Sequence, residues 1–118
     1  MQEALKNRTK KIGLAVISLV NELPNKPVGW AITNQIIRSS TSIGANYRAA
    51  CRAKSTADFI NKLKIVEEEA DETLFWLEIL EESGLLTAQR IIELKSEVNQ
   101  ILSIIVASIK TARQKANK

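Results

Sequence analysis

Apolar residues recur at every third or fourth position over most of this chain, which is the spacing of an amphipathic α-helix. The pattern predicts a first helix over about residues 2–23, and Pro24 and Pro27 end it because proline is poorly tolerated inside a helix. A second helix follows over about residues 28–53. The buried faces predicted for these helices are Leu5, Ile12, Val16, Leu19 and Leu23, then Ile32, Ile36, Ser39, Ile43, Asn46, Ala50 and Ala53.

Local start and stop signals delimit two more helices. Ser55 can accept a hydrogen bond from the exposed N–H groups of a helix start, and Asp58, three residues later, fits a capping box. The third helix is therefore predicted over about residues 56–83, where Gly84 suits a left-handed C-cap. Thr87 can cap a fourth helix over about residues 88–114. The predicted buried faces are Phe59, Leu63, Val66, Ala70, Thr73, Leu77 and Leu80, then Ile91, Leu94, Val98, Ile101 and Ile105.

Four long helices joined by three short loops predict an all-α fold, an antiparallel up-down-up-down four-helix bundle. The length of 118 residues suits one domain, residues 1–118, and the four glycines and two prolines suit a helical composition. No apolar run approaches the roughly 20 residues that span a bilayer, and the first residues lack the order of a secretory signal. We therefore expect a cytoplasmic protein with no membrane partner.

Two helices carry more apolar surface than one bundle core requires. Leu102, Ile104 and Val106 lie off the main face of the fourth helix, and Trp76 and Ile79 lie off that of the third. A helix that is apolar on more than one side needs cover from a second surface, so the pattern favours self-association. The alternative is a broad core-facing stripe with a few exposed apolar residues.

Charge is segregated along the sequence. Residues 1–64 hold eleven Lys or Arg and three acids, residues 65–97 hold two and ten, and residues 98–118 hold four and none. One acidic helix therefore lies among basic neighbours. Opposite charges on packed helices explain this pattern, and so does a basic surface that attracts nucleic acid.

Catalytic chemistry finds little support in the sequence. The chain has no histidine, which removes the usual acid/base group near neutral pH and the histidine metal ligands. The one cysteine, Cys51, lies next to Arg52 but has no base or second thiol as a partner in the sequence. A dimetal site in a helical bundle needs inward-facing carboxylates from several helices, but the predicted buried faces of the second and fourth helices carry no acid to match the acidic run at residues 67–72. We expect no enzyme activity, no cofactor and no metal site.

The second helix contains a run of small residues around Gly44. A glycine inside a helix costs about 1 kcal/mol relative to alanine, so close helix packing must compensate. Asn46 falls on the predicted buried face, where its amide needs hydrogen-bond partners and can fix the register of the helices. We therefore assign Ser39, Ser42, Gly44 and Asn46 to helix packing or oligomer contacts.

Basic residues on the first two helices form the candidate nucleic-acid surface. Arg48 and Arg52 lie one helical turn apart, and Lys10 stands between two further basic residues of the first helix. Such groups bind phosphates through charge and guanidinium forks, without regard to base sequence. Only Tyr47 lies among them, so stacking on single strands is poorly supported. The candidate residues are Arg8, Lys11, Arg38, Arg48, Arg52 and Lys54.

The run QIIRSSTSIGANYRAA at residues 35–50, followed by Glu69, Glu72 and Trp76 on the third helix, resembles the 23S ribosomal-RNA intervening-sequence proteins of bacteria. The resemblance implies a small non-enzymatic bundle that assembles into a ring, typically a homopentamer, and assigns those three residues to packing or oligomer contacts. A related branch comprises the accessory variability proteins of diversity-generating retroelements, which bind nucleic acid and a reverse transcriptase. Arg38 and Arg48 match basic positions of the family.

Two classes of function remain open. In the first, the oligomer is a nucleic-acid-associated accessory protein that engages RNA or DNA through its first two helices. In the second, it is a protein–protein scaffold or adaptor, for example a partner of a reverse transcriptase, and its segregated charge serves subunit pairing. Burial of Arg48 and Arg52 against acidic residues would favour the second class.

Overall fold

The structure, a computed structural model, describes residues 2–117 of the chain. These residues form the helices α1 (Gln2–Val20), α2 (Pro27–Cys51), α3 (Thr56–Ser83) and α4 (Ala88–Ala116). The described part of the chain contains no β-strand, so the all-helical prediction is confirmed. Together the helices make a rod of 52 × 21 × 20 Å.

Each helix packs against two others, since α1 and α3 each contact both α2 and α4. Between α1 and α4, Arg8 pairs with Glu97, whereas Glu22 near the other end of α1 pairs with Arg90. The early residues of one helix therefore lie beside the late residues of the other. Each helix turns its predicted buried face to a shared core.

The core draws large aliphatic side chains from all four helices. Burial of each such side chain contributes about 1.5–3 kcal/mol relative to leaving it exposed. The largest fully buried side chains are Ile12, Val16, Leu19, Ile36, Ile43, Leu63, Val66, Leu77, Leu80, Ile91, Ile101 and Ile105. All of them belong to the faces that the apolar spacing predicts.

Glycines bring α1 and α2 unusually close together. A Cβ atom added at Gly44 would lie 3.3 Å from the backbone nitrogen of Lys10 and 3.3 Å from the carbonyl carbon of Thr9. One added at Gly13 would lie 3.2 Å from the Thr41 side chain. The close approach accounts for the small residue at position 44, because a larger one would meet the backbone of α1.

A buried pair of hydroxyl groups joins α2 to α3. The Thr73 Oγ1 lies 2.9 Å from the Ser39 Oγ, and both side chains are fully buried. Thr73 also lies within hydrogen-bond distance of the Glu69 carbonyl oxygen, at 2.8 Å. Buried hydroxyl groups are costly unless they are hydrogen-bonded, so the pair constrains how the two helices align.

The expected burial of Asn46 is wrong. Asn46 is half-buried, and its Nδ2 donates to the Ser42 carbonyl oxygen of its own helix, at 2.9 Å. The adjacent Tyr47 is buried instead, with 5% of its surface exposed. The larger apolar ring turns toward the core, and the amide moves to its edge, where water reaches it.

Helix ends depart from the predicted bounds by two or three residues at three positions. α1 ends at Val20, α2 ends at Cys51, and α4 continues to Ala116. At the start of α3, the Ser55 Oγ accepts from the backbone N–H of Asp58 at 3.1 Å, as the sequence predicts. Thr87 occupies the N-cap position of α4 without making a side-chain hydrogen bond there.

No helix in the described part of the chain has both the length and the apolar character that crossing a bilayer requires. Over the same residues, no three His, Cys, Asp or Glu side chains gather closely enough to hold a metal ion.

Candidate nucleic-acid interface

Arg8, one of the predicted nucleic-acid residues, is held by an acid of α4. Its Nε lies 3.1 Å from Glu97 Oε2 and its Nη2 lies 2.7 Å from Glu97 Oε1, a two-point pairing. Nη2 also donates to the Gln100 side-chain oxygen at 3.2 Å. The hydrogen bond raises the pKa of Arg8 and lowers that of Glu97. The Arg8 guanidinium fork is thus occupied within the chain.

Arg38 belongs to a second network, across α2 and α3. Its Nη1 donates to Glu69 Oε2 at 2.9 Å, and its Nη2 donates to Glu72. The Trp76 Nε1 also donates to Glu72, at 3.2 Å. Hydrogen bonding by Arg38 is the main cause that lowers the pKa of Glu72. Glu69, Glu72 and Trp76 thus lie beside an arginine that the sequence assigned to a different role.

Lys11 is exposed and lines a groove between α1 and α4, which encloses about 290 Å³. The charged residues that line the groove with Lys11 are of both signs: Arg8 of α1 and Arg90, Glu93 and Glu97 of α4. The carboxylates offset much of the positive charge there. This groove is therefore a poor site for phosphate.

Arg48 and Arg52 lie in a different setting, an open depression between the first turns of α1 and the last turns of α2. We call it the basic cleft, and its lining residues are Glu3, Lys6, Asn7, Lys10, Arg48 and Arg52. It encloses about 280 Å³. Four cations and one acid line it, and that acid lies 3.2 Å from Lys6. The cleft therefore carries a net positive charge.

The cations of the basic cleft have few partners within the chain. Over the described residues, no carboxylate lies within 4.0 Å of the charged groups of Lys10, Arg48 or Arg52. All three side chains are exposed. Exposed arginine forks without a carboxylate partner can take two oxygens of a phosphate group. Lys6 was missed by the sequence reasoning, although its spacing of four from Lys10 puts both on one helix face.

Lys54 lies beyond the end of α2, in the turn that leads to α3. Its side chain is exposed, and its backbone N–H donates to Asp58 Oδ2 at 3.2 Å. The Asp58 carboxylate pairs with Lys62, at 2.6 Å, rather than with the Lys54 ammonium. Lys54 therefore extends the positive surface from Arg52 toward α3.

The aromatic ring nearest these cations in sequence is not available to a base. Tyr47 lies beneath the surface, and burial is the main cause that raises its pKa to about 12. Stacking on single-stranded bases requires an exposed ring. The basic cleft is therefore equipped for phosphate and not for bases.

The fold and the cleft define a class: small all-helical proteins with an exposed basic surface. The family model of the 23S rRNA-intervening sequence protein matches residues 3–107, and the chain belongs to that family. The family resemblance predicted from the sequence is thereby confirmed.

A solved structure supports the same assignment. The chain is similar to a protein of unknown function from the S23 ribosomal protein family of Bacteroides thetaiotaomicron VPI-5482, with 36% sequence identity and a TM-score of 0.84. The match covers 90% of this chain and 98% of the other. A search of curated proteins gave no match.

Proposed function

We propose that the protein is a non-enzymatic accessory protein that associates with nucleic acid through the basic cleft between α1 and α2. The observation that carries the proposal is the exposure of Lys10, Arg48 and Arg52 without a carboxylate partner among the described residues. An arginine that forms an ion pair within its own chain loses much of its capacity to bind phosphate. Arg48 and Arg52 form no such pair among the described residues.

The cleft binds the sugar–phosphate backbone and not base sequence. Each guanidinium places two N–H groups against the oxygens of a phosphate, and the lysines add positive charge without a fixed geometry. Binding releases the cations condensed on the nucleic acid, so affinity falls steeply as the salt concentration rises. RNA and DNA both supply the required phosphates.

The proposal includes an assembly. The four helices form an antiparallel up-down-up-down bundle. The ion pairs Arg8–Glu97 and Glu22–Arg90 support it, because they require α1 and α4 to run in opposite directions. Copies of the bundle associate into a ring-like homo-oligomer, the homopentamer that the family resemblance implies. Exposed Phe75 and Ile79 on the outer side of α3 supply apolar surface for that contact.

The second candidate function is a protein–protein scaffold or adaptor, such as a partner of a reverse transcriptase in a retroelement. The observation that favours it is the α3 surface, where Phe75 and Ile79 lie exposed beside the Arg38 network. Apolar residues rimmed by charged ones are typical of protein-binding surfaces. In that case Arg48 and Arg52 only keep the protein soluble.

Two arginines of the same helix provide a matched test. Arg48→Gln removes a guanidinium with no carboxylate partner in the described chain, whereas Arg38→Gln removes one that is paired with Glu69 and Glu72. Binding to labelled structured RNA and to duplex DNA is measured at several salt concentrations, with the mass of each variant checked in solution. We expect Arg48→Gln to weaken binding about 5- to 10-fold at low salt and Arg38→Gln to change it less than about 2-fold.

Equal effects of the two substitutions would contradict the assignment of the basic cleft. Absence of binding by the unmodified protein at low salt would contradict the nucleic-acid function itself, and the scaffold would then be the better account.

A further inference from the structure

Folding gathers the basic segments of the sequence at one end of the rod. Lys10 of α1 lies against Gly44 of α2, and the turn after α2 leads directly into α3. The first turn of α3, at Thr56 and Phe59, shares a groove with Lys115 near the end of α4. Residues 2–10, 44–64 and 104–117 therefore occupy the same end, which we call the basic end.

The charge difference between this end and the rest of the rod is large. The basic end holds eleven Lys or Arg and two acids, whereas residues 11–43 and 65–103 hold five and eleven. Both acids of the basic end lie beside a lysine, Glu3 at 3.2 Å from Lys6 and Asp58 at 2.6 Å from Lys62. The rod therefore carries positive charge at one end and excess negative charge over the rest of its length. The charge totals of residues 1–64, 65–97 and 98–118 do not show this polarity, because it arises only when the helices pack side by side.

We infer that the whole basic end, with α3 and α4 included, binds a nucleic-acid duplex by its phosphates. The inference rests on the proposed function and extends it in two respects. It enlarges the surface beyond the basic cleft to Lys64 and Lys115, and it names a double helix as the ligand.

Dimensions and side-chain chemistry both favour a duplex. The cross-section of the rod is about 20 × 21 Å, enough to reach phosphates on both sides of a major groove that is about 12 Å wide. Single strands are held by exposed aromatic rings, but of the two rings at this end Tyr47 is buried and Phe59 is half-buried. Phosphate contacts alone are therefore the chemistry that the end offers.

The positions of the exposed apolar residues argue against a membrane as the anionic partner. Surface binding to a bilayer requires apolar side chains beside the basic ones. Of the nine large apolar side chains that are exposed in residues 2–117, Val106 belongs to the basic end and Ile65 lies at its border. The other seven lie elsewhere on the rod, so self-association through them would leave the basic end open to a duplex.

Three Lys→Gln substitutions test the extent of the surface. Lys64 and Lys115 lie at the basic end, Lys26 lies in the turn before α2 outside it, and all three are exposed. None of the three is in an ion pair within the described residues. Lys110 and Arg113 are less suitable because they share a groove with Glu67. The variants are matched in residue type, charge change and exposure.

The measurement is the slope of log Kobs against log salt concentration for a duplex, a single strand of the same length and anionic vesicles of phosphatidylserine and phosphatidylcholine. We expect Lys64→Gln and Lys115→Gln each to reduce the steepness of the duplex slope by about 0.9, and Lys26→Gln to leave it unchanged. We also expect tighter binding to the duplex than to the single strand or the vesicles.

The outcomes separate this inference from the proposed function. If Arg48→Gln weakens duplex binding but Lys64→Gln and Lys115→Gln leave the salt slope unchanged, the inference is overturned and the basic cleft remains the binding site. Tighter binding to the single strand or the vesicles would overturn the duplex assignment. No binding to any nucleic acid would overturn both.

Discussion

Arg38 and Arg48 lie on the same helix, yet their surroundings give them different roles. Arg38 reaches Glu69 and Glu72 of α3, whereas Arg48 projects over the first turns of α1, where lysines outnumber acids. An arginine within reach of two carboxylates is neutralised locally and helps to align its helices. An arginine among other cations raises the local positive potential and attracts a polyanion.

Gly44 is the glycine of α2 at which an added Cβ would meet the backbone of a neighbouring helix, whereas at Gly29 it would meet the Pro24 carbonyl oxygen in the preceding turn. A valine at position 44 would press its Cβ against the α1 backbone at Lys10 and Thr9, and backbone atoms cannot rotate away. We expect Gly44→Val to lower the free energy of unfolding by about 1–3 kcal/mol, the usual cost of overpacking. Urea unfolding followed by circular dichroism measures the change.

The neighbouring Ala45 supplies the control for this substitution. Ala45 is exposed, so Ala45→Val introduces the same branched side chain into the same helix without a contact to α1. Its cost is limited to the lower helix propensity of valine, less than about 0.7 kcal/mol. Equal destabilisation by the two substitutions would mean that α1 and α2 do not approach closely at Gly44.

On the scale of elements, α3 has one face buried in the core and an opposite face exposed at the surface. Its inner face carries the fully buried Leu63, Val66 and Leu77. Its outer face exposes half of Phe75, whose ring packs edge-on against Trp76 with centroids 5.1 Å apart. Exposed aromatic pairs are common in protein interfaces because they bury much area at little entropic cost. The outer face of α3 is therefore the element on which self-association depends in our account.

Phe75→Ser combined with Ile79→Ser tests this dependence. Both side chains are exposed, so the change removes apolar surface without opening a cavity in the core. We expect the mass in solution, measured by light scattering after size exclusion, to fall from that of an oligomer toward that of one chain. Helix content should stay the same.

Val28→Ser is a suitable comparison because Val28 is also exposed but lies in the first turn of α2. An unchanged mass in the α3 variant, or the same loss of mass in Val28→Ser, would argue against a specific interface on α3.

The sequence predicts elements better than it predicts their partners. The sequence predicts α3 from end to end. Apolar spacing marks the body of the helix, and Ser55 and Gly84 mark its two ends because they act through local hydrogen bonds and backbone conformation. The end of α1 is less predictable: Leu23 continues the apolar spacing, but its backbone N–H bonds to Val20 in a turn beyond the helix. Side-chain spacing carries no information on the point at which the backbone leaves the helix.

The same distinction applies to the candidate site. Arg48 and Arg52 are recognisable because they lie one turn apart on one helix. The partners of Arg8 and Arg38 lie 89 and 31 to 34 residues away in sequence, so only the packing of helices decides which carboxylate each one meets. The order of residues along the chain places acids and bases in separate segments, and the fold determines which segments face each other.

On the scale of the whole molecule, the arrangement of helices converts a pattern of charge along the sequence into polarity along the rod. A field of this kind steers a polyanion toward one end and orients it before contact, an effect that salt screens over about 8–10 Å. Because the exposed apolar residues lie mainly outside the basic end, assembly and nucleic-acid binding use different surfaces in our account.

The most direct test of the central claim is the salt dependence of binding between the unmodified protein and a duplex of about 20 base pairs. If the four cations of the basic cleft contact phosphates, the slope of log Kobs against log salt concentration is about −3.6 or steeper. A slope near zero, or no binding at low salt, would contradict the claim that this protein is a nucleic-acid-associated accessory protein.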